Sequence, residues 1–238
     1  MTVYPIAEIF QSPQGEGQWQ GSYFTFVRFA GCNVGKPYTV EQRAEINAKL
    51  VGSELPILSS YQERCETQLG VSFSCDTRYS MSTKKSLEEI VAECNGAPRV
   101  CLTGGEPLLH DLRPLIKTLL MIGKKVHIET SGTRPFTDLR HYTVPKPDPL
   151  VWVAVSPKVG CLPEAFRVAD ELKILVGPEF DEPQFITLYS NYMEKVWLQP
   201  INYEHTINMD NMKLCLDLQK RHPLCRISSQ AHKTWAVR

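Results

Sequence analysis

The sequence predicts an α/β fold built on a parallel sheet or barrel. Two observations predict it: short apolar strands alternate with helical segments, and polar or glycine residues follow several of the strands. The chain has 238 residues, enough for one sizeable core. We therefore expect a single domain over residues 1–238, with an extended insertion at about 35–69.

The strands are predicted from short apolar segments that end at glycine, proline or polar residues. In chain order they are Tyr23–Phe29, Arg99–Thr103, Lys125–Thr130, Leu150–Ser156, Glu171–Val176, Val196–Gln199 and Arg226–Ser229. Six or seven strands are too few to close an eightfold barrel.

The helices are predicted from capping signals and apolar spacing. Ser86-Leu-Glu-Glu89 is a capping box, which predicts a helix through about Cys94. Asp111–Ile122 has apolar residues at helical spacing, with Gly123 as its C-cap. Further helices are expected at Val40–Val51 and Met209–Arg221.

The composition excludes several classes of protein. Lys and Arg number 26, as do Asp and Glu, so the chain lacks the basic excess of a protein held to nucleic acid by its phosphates. The first ten residues do not resemble a signal peptide, and no apolar run could span a bilayer. We expect a cytoplasmic protein, whose eight cysteines are metal ligands, core residues or reactive thiols instead of disulfides.

Three of the cysteines lie where a fold alone does not need them. Cys32 follows the first strand, Cys65 comes later in the same long connection, and Cys75 lies in a polar loop, Ser72–Thr77. Soft thiolate ligands select zinc or an iron–sulfur cluster. The other cysteines are expected in the core, where unpaired cysteine is common; they are Cys94, Cys101, Cys161, Cys215 and Cys225.

Polar and glycine residues follow four of the strands. Ligands gather at the carboxyl ends of parallel strands, so these residues predict one binding rim. Two adjacent glycines would let a ligand amine approach the backbone, and Lys158 with Glu106 would suit a zwitterionic amino acid. The rim consists of Gly104-Gly-Glu106, Thr130-Ser-Gly132, Ser156-Pro-Lys158 and Gln199-Pro200.

Seven motifs occur in order along the whole chain. On these motifs the chain resembles the 7-carboxy-7-deazaguanine synthase family of radical S-adenosylmethionine (SAM) enzymes. Gln14-Gly-Glu-Gly17 together with Cys75-Asp-Thr77 is specific to that family, whereas Gly-Gly-Glu-Pro is typical of radical SAM enzymes in general. The motifs are Phe10-Gln-Ser-Pro-Gln-Gly-Glu-Gly17, Phe26-Val-Arg-Phe-Ala-Gly-Cys-Asn33, Cys75-Asp-Thr77, Thr103-Gly-Gly-Glu-Pro107, Glu129-Thr-Ser-Gly132, Ser156-Pro-Lys158 and Gln230-Ala-His-Lys233.

The resemblance implies a partial, open β/α barrel with a 4Fe-4S cluster, SAM and Mg²⁺. It assigns the cluster to Cys32, Cys65 and Cys75 and the Mg²⁺ ion to Thr77. One feature departs from the family pattern: two residues usually separate the last two cysteines, and that position is Ser72 here. The residues that it assigns to cofactor binding are Gly104, Gly105, Glu106, Glu129, Ser131, Ser156, Lys158 and Gln199.

The resemblance also implies the reaction, which is the ring contraction of 6-carboxy-5,6,7,8-tetrahydropterin to 7-carboxy-7-deazaguanine with loss of ammonia, in deazapurine biosynthesis of the queuosine type. The enzyme would be a homodimer, reduced by a flavodoxin-like protein. The terminal carboxylate of Arg238 is expected near the substrate. The implied substrate-binding residues are Gln14, Glu16, Arg28, Gln230, His232 and Arg238.

Two other functions are compatible with parts of the pattern. A glycyl-radical activating enzyme would share the glycine–glutamate motif but would not need Gln14-Gly-Glu-Gly17 or His232. A zinc-stabilised or cluster-free binding module would use the cysteines without catalysis.

Overall fold

The structure is a computed structural model, and it describes residues 2–50, 63–75, 77, 82–136, 149–202 and 206–237. Within these residues the strands form a nine-stranded sheet and a three-stranded sheet. The strands are β1 (Val3–Pro13), β2 (Tyr23–Phe29), β3 (Lys36–Pro37), β4 (Glu63–Glu66), β5 (Ser72–Ser74), β6 (Thr83–Ser86), β7 (Arg99–Gly104), β8 (Lys125–Thr130), β9 (Val151–Val155), β10 (Glu171–Val176), β11 (Val196–Pro200) and β12 (Arg226–Ile227).

The described α-helices connect or follow these strands. None of them is long and apolar enough to cross a membrane. They are α1 (Val40–Leu50), α2 (Leu87–Glu93), α3 (Arg113–Met121), α4 (Pro163–Val168), α5 (Glu182–Tyr189), α6 (Met209–Arg221) and α7 (Ala231–Trp235).

The large sheet has the strand order β12-β11-β10-β9-β8-β7-β2-β1-β6. From β2 to β12 all neighbours are parallel, and each new strand is added on the same side of the last one. Strand β1 runs antiparallel to both β2 and β6. The edges of the described sheet are therefore β12 and β6, and the parallel strands form the predicted open barrel.

Side chains alternate between the two faces of each parallel strand. On the outer face, residues such as Val27, Leu102 and Ile128 are fully buried against α2 to α6. Each such apolar side chain contributes about 1.5–3 kcal/mol to folding by its burial. On the inner face, Phe24 and Phe26 pack with Cys101 in a second, smaller cluster. Polar residues occupy the inner face closer to the carboxyl ends of the strands.

Most of the predicted elements are confirmed. Strands Tyr23–Phe29, Lys125–Thr130 and Glu171–Val176 have the predicted bounds. The capping box is formed at Ser86, whose hydroxyl accepts from the Glu89 amide at 3.2 Å. The second predicted helix begins at Arg113 and not at Asp111, because the Asp111 carboxylate accepts from the Arg113 amide and so stays outside the helix.

The antiparallel strands beside β2 were not predicted from the sequence. Strand β1 contains Pro5 and Glu8 and mixes polar with apolar residues, since much of it is only half-buried. Strand β6 carries Lys84 and Lys85, which is typical of an edge strand. Neither segment therefore has the apolar pattern that identified the parallel strands.

The insertion contributes a small antiparallel sheet of order β3-β4-β5. The prediction of a polar loop at Ser72–Thr77 is wrong for its first three residues, because Ser72–Ser74 is β5 and pairs with β4. The predicted helix at Val40–Val51 is found as Val40–Leu50, and Val51 lies outside the described residues.

Candidate active site

A cavity of about 510 Å³ opens at the carboxyl ends of the parallel strands. Residues from β2, β7, β8, β10 and β11 line it, together with the turn that follows β9, the small sheet and α7. It collects most of the predicted site residues: Gln14, Glu16, Arg28, Cys32, Cys65, Cys75, Thr77, Gly104, Gly105, Glu129, Ser131, Ser156, Lys158, Gln199, Gln230 and His232. Glu106 is buried outside the cavity wall, and Arg238 lies outside the described residues.

The three predicted cysteine ligands line one end of this cavity, and none of them forms a disulfide bond. Cys32 follows the end of β2, whereas Cys65 and Cys75 belong to the β4–β5 hairpin. Cys65 pairs with Phe73, and the Cys75 amide donates to the Glu63 carbonyl at 2.8 Å. Because faces alternate along each strand, Cys65 and Cys75 lie on the same face of the hairpin.

The hairpin is fixed to the barrel at the turn after β9. Thr67 forms a β-bridge with Lys158, and the Gln68 amide donates to the Pro157 carbonyl at 3.1 Å. The Lys158 ammonium donates to the Ser156 hydroxyl at 2.6 Å and lies near the Phe73 ring. Burial raises the pKa of the Cys65 thiol, and the nearby Lys158 ammonium lowers it in part. A cation is thus placed beside the thiols, where it favours thiolates.

The two glycines after β7 are required by close backbone packing. A Cβ atom on Gly105 would lie 1.9 Å from the Gly31 carbonyl oxygen, directly before Cys32. Gly104 has φ +126°, and its added Cβ would contact the Phe29 backbone. Both glycines were predicted to admit a ligand amine, and the structure shows that they also let β7 approach the Cys32 turn.

The buried side chain of Glu106 binds the Thr130–Ser131 turn of the rim. Its carboxylate accepts hydrogen bonds from the Thr130 hydroxyl at 2.7 Å, the Ser131 amide at 2.9 Å, the Ser131 hydroxyl and the Leu108 amide at 3.0 Å. The side chain is fully buried. The predicted pairing of Glu106 with Lys158 around a zwitterion is therefore wrong for Glu106, because its carboxylate is satisfied inside the protein.

Arg28 lies on the inner face of β2 at the cavity wall. Its Nε donates to Glu8 at 2.7 Å, and one terminal nitrogen donates to the Thr77 hydroxyl at 3.1 Å. The guanidinium also lies 5.6 Å from the centre of the Phe10 ring. These contacts hold the guanidinium in place.

A buried ion-pair network forms another wall. The Lys173 ammonium lies 2.6 Å from the Glu16 carboxylate and 3.1 Å from that of Glu129. Glu16 also accepts from Gln199 at 3.2 Å and from Gln230 at 2.7 Å. The network thus joins β8, β10 and β11 to the segments around Glu16 and Gln230.

The segment before α7 packs directly on the turn that carries Glu16. The Ala231 amide donates to the Gly15 carbonyl at 2.8 Å. A Cβ atom on Gly15 would lie 2.0 Å from His232 Nδ1. Gln230 has φ +55°, a left-handed conformation that turns the chain into α7. Glycine in the motif Gln14-Gly-Glu-Gly17 therefore permits the approach of His232.

Known proteins match this chain over its whole length. No protein-family model matches it. It is 34% identical over 236 residues to the 7-carboxy-7-deazaguanine synthase of Bacteroides thetaiotaomicron, and the match covers 98% of each chain. The synthase of Escherichia coli K12 is 31% identical over 240 residues, with 97% of each chain covered. The chain belongs to the 7-carboxy-7-deazaguanine synthase family.

A solved structure of the synthase family has the same fold. The crystal structure of QueE from Escherichia coli matches with a TM-score of 0.63 and 29% identity, and the match covers 95% of this chain and 93% of that one. The family predicted from the motifs is therefore confirmed. A match over both full lengths also favours the synthase over a glycyl-radical activating enzyme or a zinc-binding module.

Membership in the synthase family implies SAM and an iron–sulfur cluster as cofactors. The residues present fit such a cluster, because three cysteines that form no disulfide line one end of the cavity beside a lysine. Within the described residues, no three His, Cys, Asp or Glu side chains are grouped so that they could hold a single metal ion. In a cluster each cysteine binds a different iron, so its ligands do not need to meet at one point.

Three buried ionisable residues on the inner face were not predicted from the sequence. Lys173 and Glu171 lie on β10, and His127 lies on β8. Burial raises the pKa of Glu171 to about 7 and lowers the pKa of His127 to about 4. The signal was present in the sequence, since charged residues at alternate positions of a short apolar strand must face a polar interior.

We predict that Cys65→Ala abolishes the visible absorbance of the reconstituted cluster, because only a thiolate can replace the missing family cysteine. Ser72→Ala is the matched control and should leave the absorbance unchanged. The Ser72 side chain lies on the opposite face of β5 from Cys75 and does not line the cavity. A full cluster in Cys65→Ala would show that another residue is the ligand.

Proposed function

We propose that the protein catalyses the ring contraction of 6-carboxy-5,6,7,8-tetrahydropterin to 7-carboxy-7-deazaguanine with loss of ammonia, as a radical SAM carbon–nitrogen lyase. The observation that carries this proposal is that two sets of residues line one cavity. Three cysteines and the glycine turn form the first set, which we call the thiol end, and a guanidinium with a buried carboxylate network forms the second set, which we call the polar end. A cofactor and a small polar substrate can therefore meet in a single cavity.

The thiol end is suited to a 4Fe-4S cluster and SAM. Cys32, Cys65 and Cys75 would hold the cluster, and this leaves one iron without a protein ligand. When bound, the cluster and SAM supply the radical chemistry, and the protein supplies binding and orientation. The residues that would hold SAM are Gly104, Gly105, Glu129, Ser131, Ser156, Lys158 and Gln199, with Glu106 fixing the Ser131 turn from beneath.

The polar end is suited to the pterin. Arg28 would bind the substrate carboxylate through its terminal nitrogens, since its Nε already donates to Glu8. The polar edge of the ring system would contact four residues that line the cavity, which are Gln14, Glu16, Gln230 and His232. The cavity encloses these groups, which strengthens each polar contact relative to water.

Thr77 would hold Mg²⁺ together with the substrate and water, because Mg²⁺ keeps much of its hydration. The Thr77 hydroxyl accepts a hydrogen bond from Arg28. A second cation beside this guanidinium needs negative charge, and the substrate carboxylate would supply it. Metal and substrate should therefore bind together.

The location, assembly, reductant and domain organisation also belong to the proposal. The protein would act in the cytoplasm as a homodimer, with a flavodoxin-like reductant. Residues 1–238 would form one radical SAM domain, and the insertion at about 35–69 would supply the Cys65 ligand.

Anaerobic turnover tests the function. Purified protein is reconstituted with iron and sulfide and is then incubated with SAM, a reductant, Mg²⁺ and carboxytetrahydropterin. Formation of 7-carboxy-7-deazaguanine and ammonia in equal amounts is expected. A protein that carries a complete cluster and cleaves SAM, but leaves the pterin unchanged, would contradict the proposal.

We predict that Arg28→Lys raises the KM for carboxytetrahydropterin steeply while SAM binding stays intact. Lysine cannot copy the planar fork of a guanidinium, and loss of a charge-assisted bidentate pair typically costs about 2–5 kcal/mol. Steady-state kinetics and a separate SAM-binding measurement check this. An unchanged KM would exclude Arg28 as the carboxylate-binding residue.

We predict that Thr77→Ala lowers the stimulation of turnover by Mg²⁺, because the hydroxyl oxygen is lost as a ligand. Thr77→Ser keeps the hydroxyl and should retain most of the stimulation. The measurement is turnover rate against Mg²⁺ concentration for both variants. Equal stimulation of Thr77→Ala and the unaltered enzyme would count against this role.

A further inference from the structure

Lys173 is the buried cation at the centre of the polar wall. It lies on the inner face of β10, its side chain is 7% exposed, and it contacts the carboxylates of both Glu16 and Glu129. These carboxylates come from distant parts of the chain, one before β2 and the other at the end of β8. The three side chains together carry two negative charges and one positive charge.

Each carboxylate retains some capacity to accept a hydrogen bond. Among the described residues, Glu16 accepts from Lys173, Gln199 and Gln230. Glu129 accepts from Lys173, Gln14 and the Thr103 hydroxyl. An ionised carboxylate offers about four acceptor sites, so each of the two keeps about one for a ligand in the cavity.

We propose that Lys173 is a positioning residue that keeps Glu16 and Glu129 ionised and aimed into the cavity, so that Glu16 accepts N–H groups of the substrate while Glu129 stays available to SAM. This inference rests on the proposed function, since the amino-pyrimidinone edge of the pterin is the N–H-rich part of that substrate. Two parts of the site then recognise the substrate. Arg28 binds its carboxylate, and the Lys173 cluster binds its amino-pyrimidinone edge.

The electrostatics of the cluster support this role. Burial alone would raise the pKa values of Glu16 and Glu129, but the Lys173 ammonium lowers both below their usual range. The pKa of Lys173 is raised well above its usual value, because the attraction of Glu129 and Glu16 outweighs its burial. Other ionisable groups that interact with the cluster are Glu171 on β10, His127 on β8, Cys101 on β7, Lys158 after β9 and His232 on α7.

Loss of the ammonium would change the protonation of the carboxylates. In Lys173→Met two buried carboxylates face each other without a cation, so their pKa values rise. On acidification the two carboxylates therefore become protonated at a higher pH than in the unaltered enzyme. A protonated carboxyl accepts fewer hydrogen bonds. We expect the acidic limb of the pH profile for kcat/KM to move to higher pH.

The experiment compares Lys173→Met with Lys173→Arg, which keeps the charge, and with Lys124→Met. Lys124 bonds to backbone carbonyls of Asn95 and Ala97 outside the cavity, so it controls for the loss of a lysine that is bound to protein. Calorimetry without a reductant measures carboxytetrahydropterin binding, and kinetics measure KM and kcat against pH.

The expected result is specific to Lys173→Met. At neutral pH its substrate affinity falls by about tenfold or more, as for a lost hydrogen bond to a charged group. The loss diminishes as pH rises, while cluster absorbance stays unchanged. Lys173→Arg should restore the acidic limb. Equal affinity and an unmoved acidic limb in Lys173→Met would overturn the proposal, as would a loss of affinity that is independent of pH.

Two further measurements keep the test decisive. If Lys173→Met does not fold, the double variant Lys173→Met with Glu129→Gln removes the repulsion between the two carboxylates. The acidic limb of its pH profile should lie between the limb expected for Lys173→Met and that of the unaltered enzyme. An unmoved limb in that variant would overturn the proposal.

Infrared difference spectroscopy of the substrate-free protein gives an independent readout. In a Glu171→Gln background, which removes the carboxyl whose pKa is already about 7, a protonated-carboxyl band should appear near neutral pH in the lysine variant and disappear when Glu16 or Glu129 is also changed to Gln. Absence of this band would contradict the role of Lys173 even if the enzyme acts on another substrate. Failure of turnover in the unaltered enzyme would instead contradict only the proposed function.

Discussion

The alternation of side chains along the parallel strands is the constraint on which the rest of the structure depends. On β10, Leu172 and Ile174 face the helices and are buried in the main core, whereas Glu171 and Lys173 face the interior of the open barrel. The apolar residues stabilise the sheet by their burial, and the alternate positions are left to carry charge. Alternate residues of one short strand therefore belong to the core and to the candidate site.

Charge inside the barrel is tolerated because the charged groups described here compensate one another. Arg28 meets Glu8, Lys173 meets two carboxylates, and Glu106 is saturated by hydrogen bonds from the Thr130–Ser131 turn. A buried ionic group without such partners would cost several kcal/mol. These pairings fix the side chains before any ligand binds, which reduces the ordering that binding must supply.

The sequence predicted the parallel strands and the rim well, because both depend on local patterns. The buried runs before Gly104 and Thr130 have strand-like periodicity, and polar residues at their ends follow from parallel topology. It could not predict that Glu106 is buried outside the cavity wall, since this depends on the position of Ser131 in the turn after the next strand. Nor could it reveal that Lys173 meets Glu16, because these residues are far apart in the chain and only the barrel brings them together.

The unusual spacing of the cysteines has a geometric explanation in the small sheet. In the usual family pattern two residues separate the last two cysteines, but β5 is extended, so Ser72 and Cys75 lie on opposite faces. Strand β4 pairs antiparallel with β5 and places Cys65 on the same face as Cys75. The bridge between Thr67 and Lys158 then holds this hairpin against the barrel. Strand pairing thus places Cys65 where it would supply the ligand proposed in place of Ser72, because pairing fixes which residues face the cavity more strictly than their spacing in the sequence does.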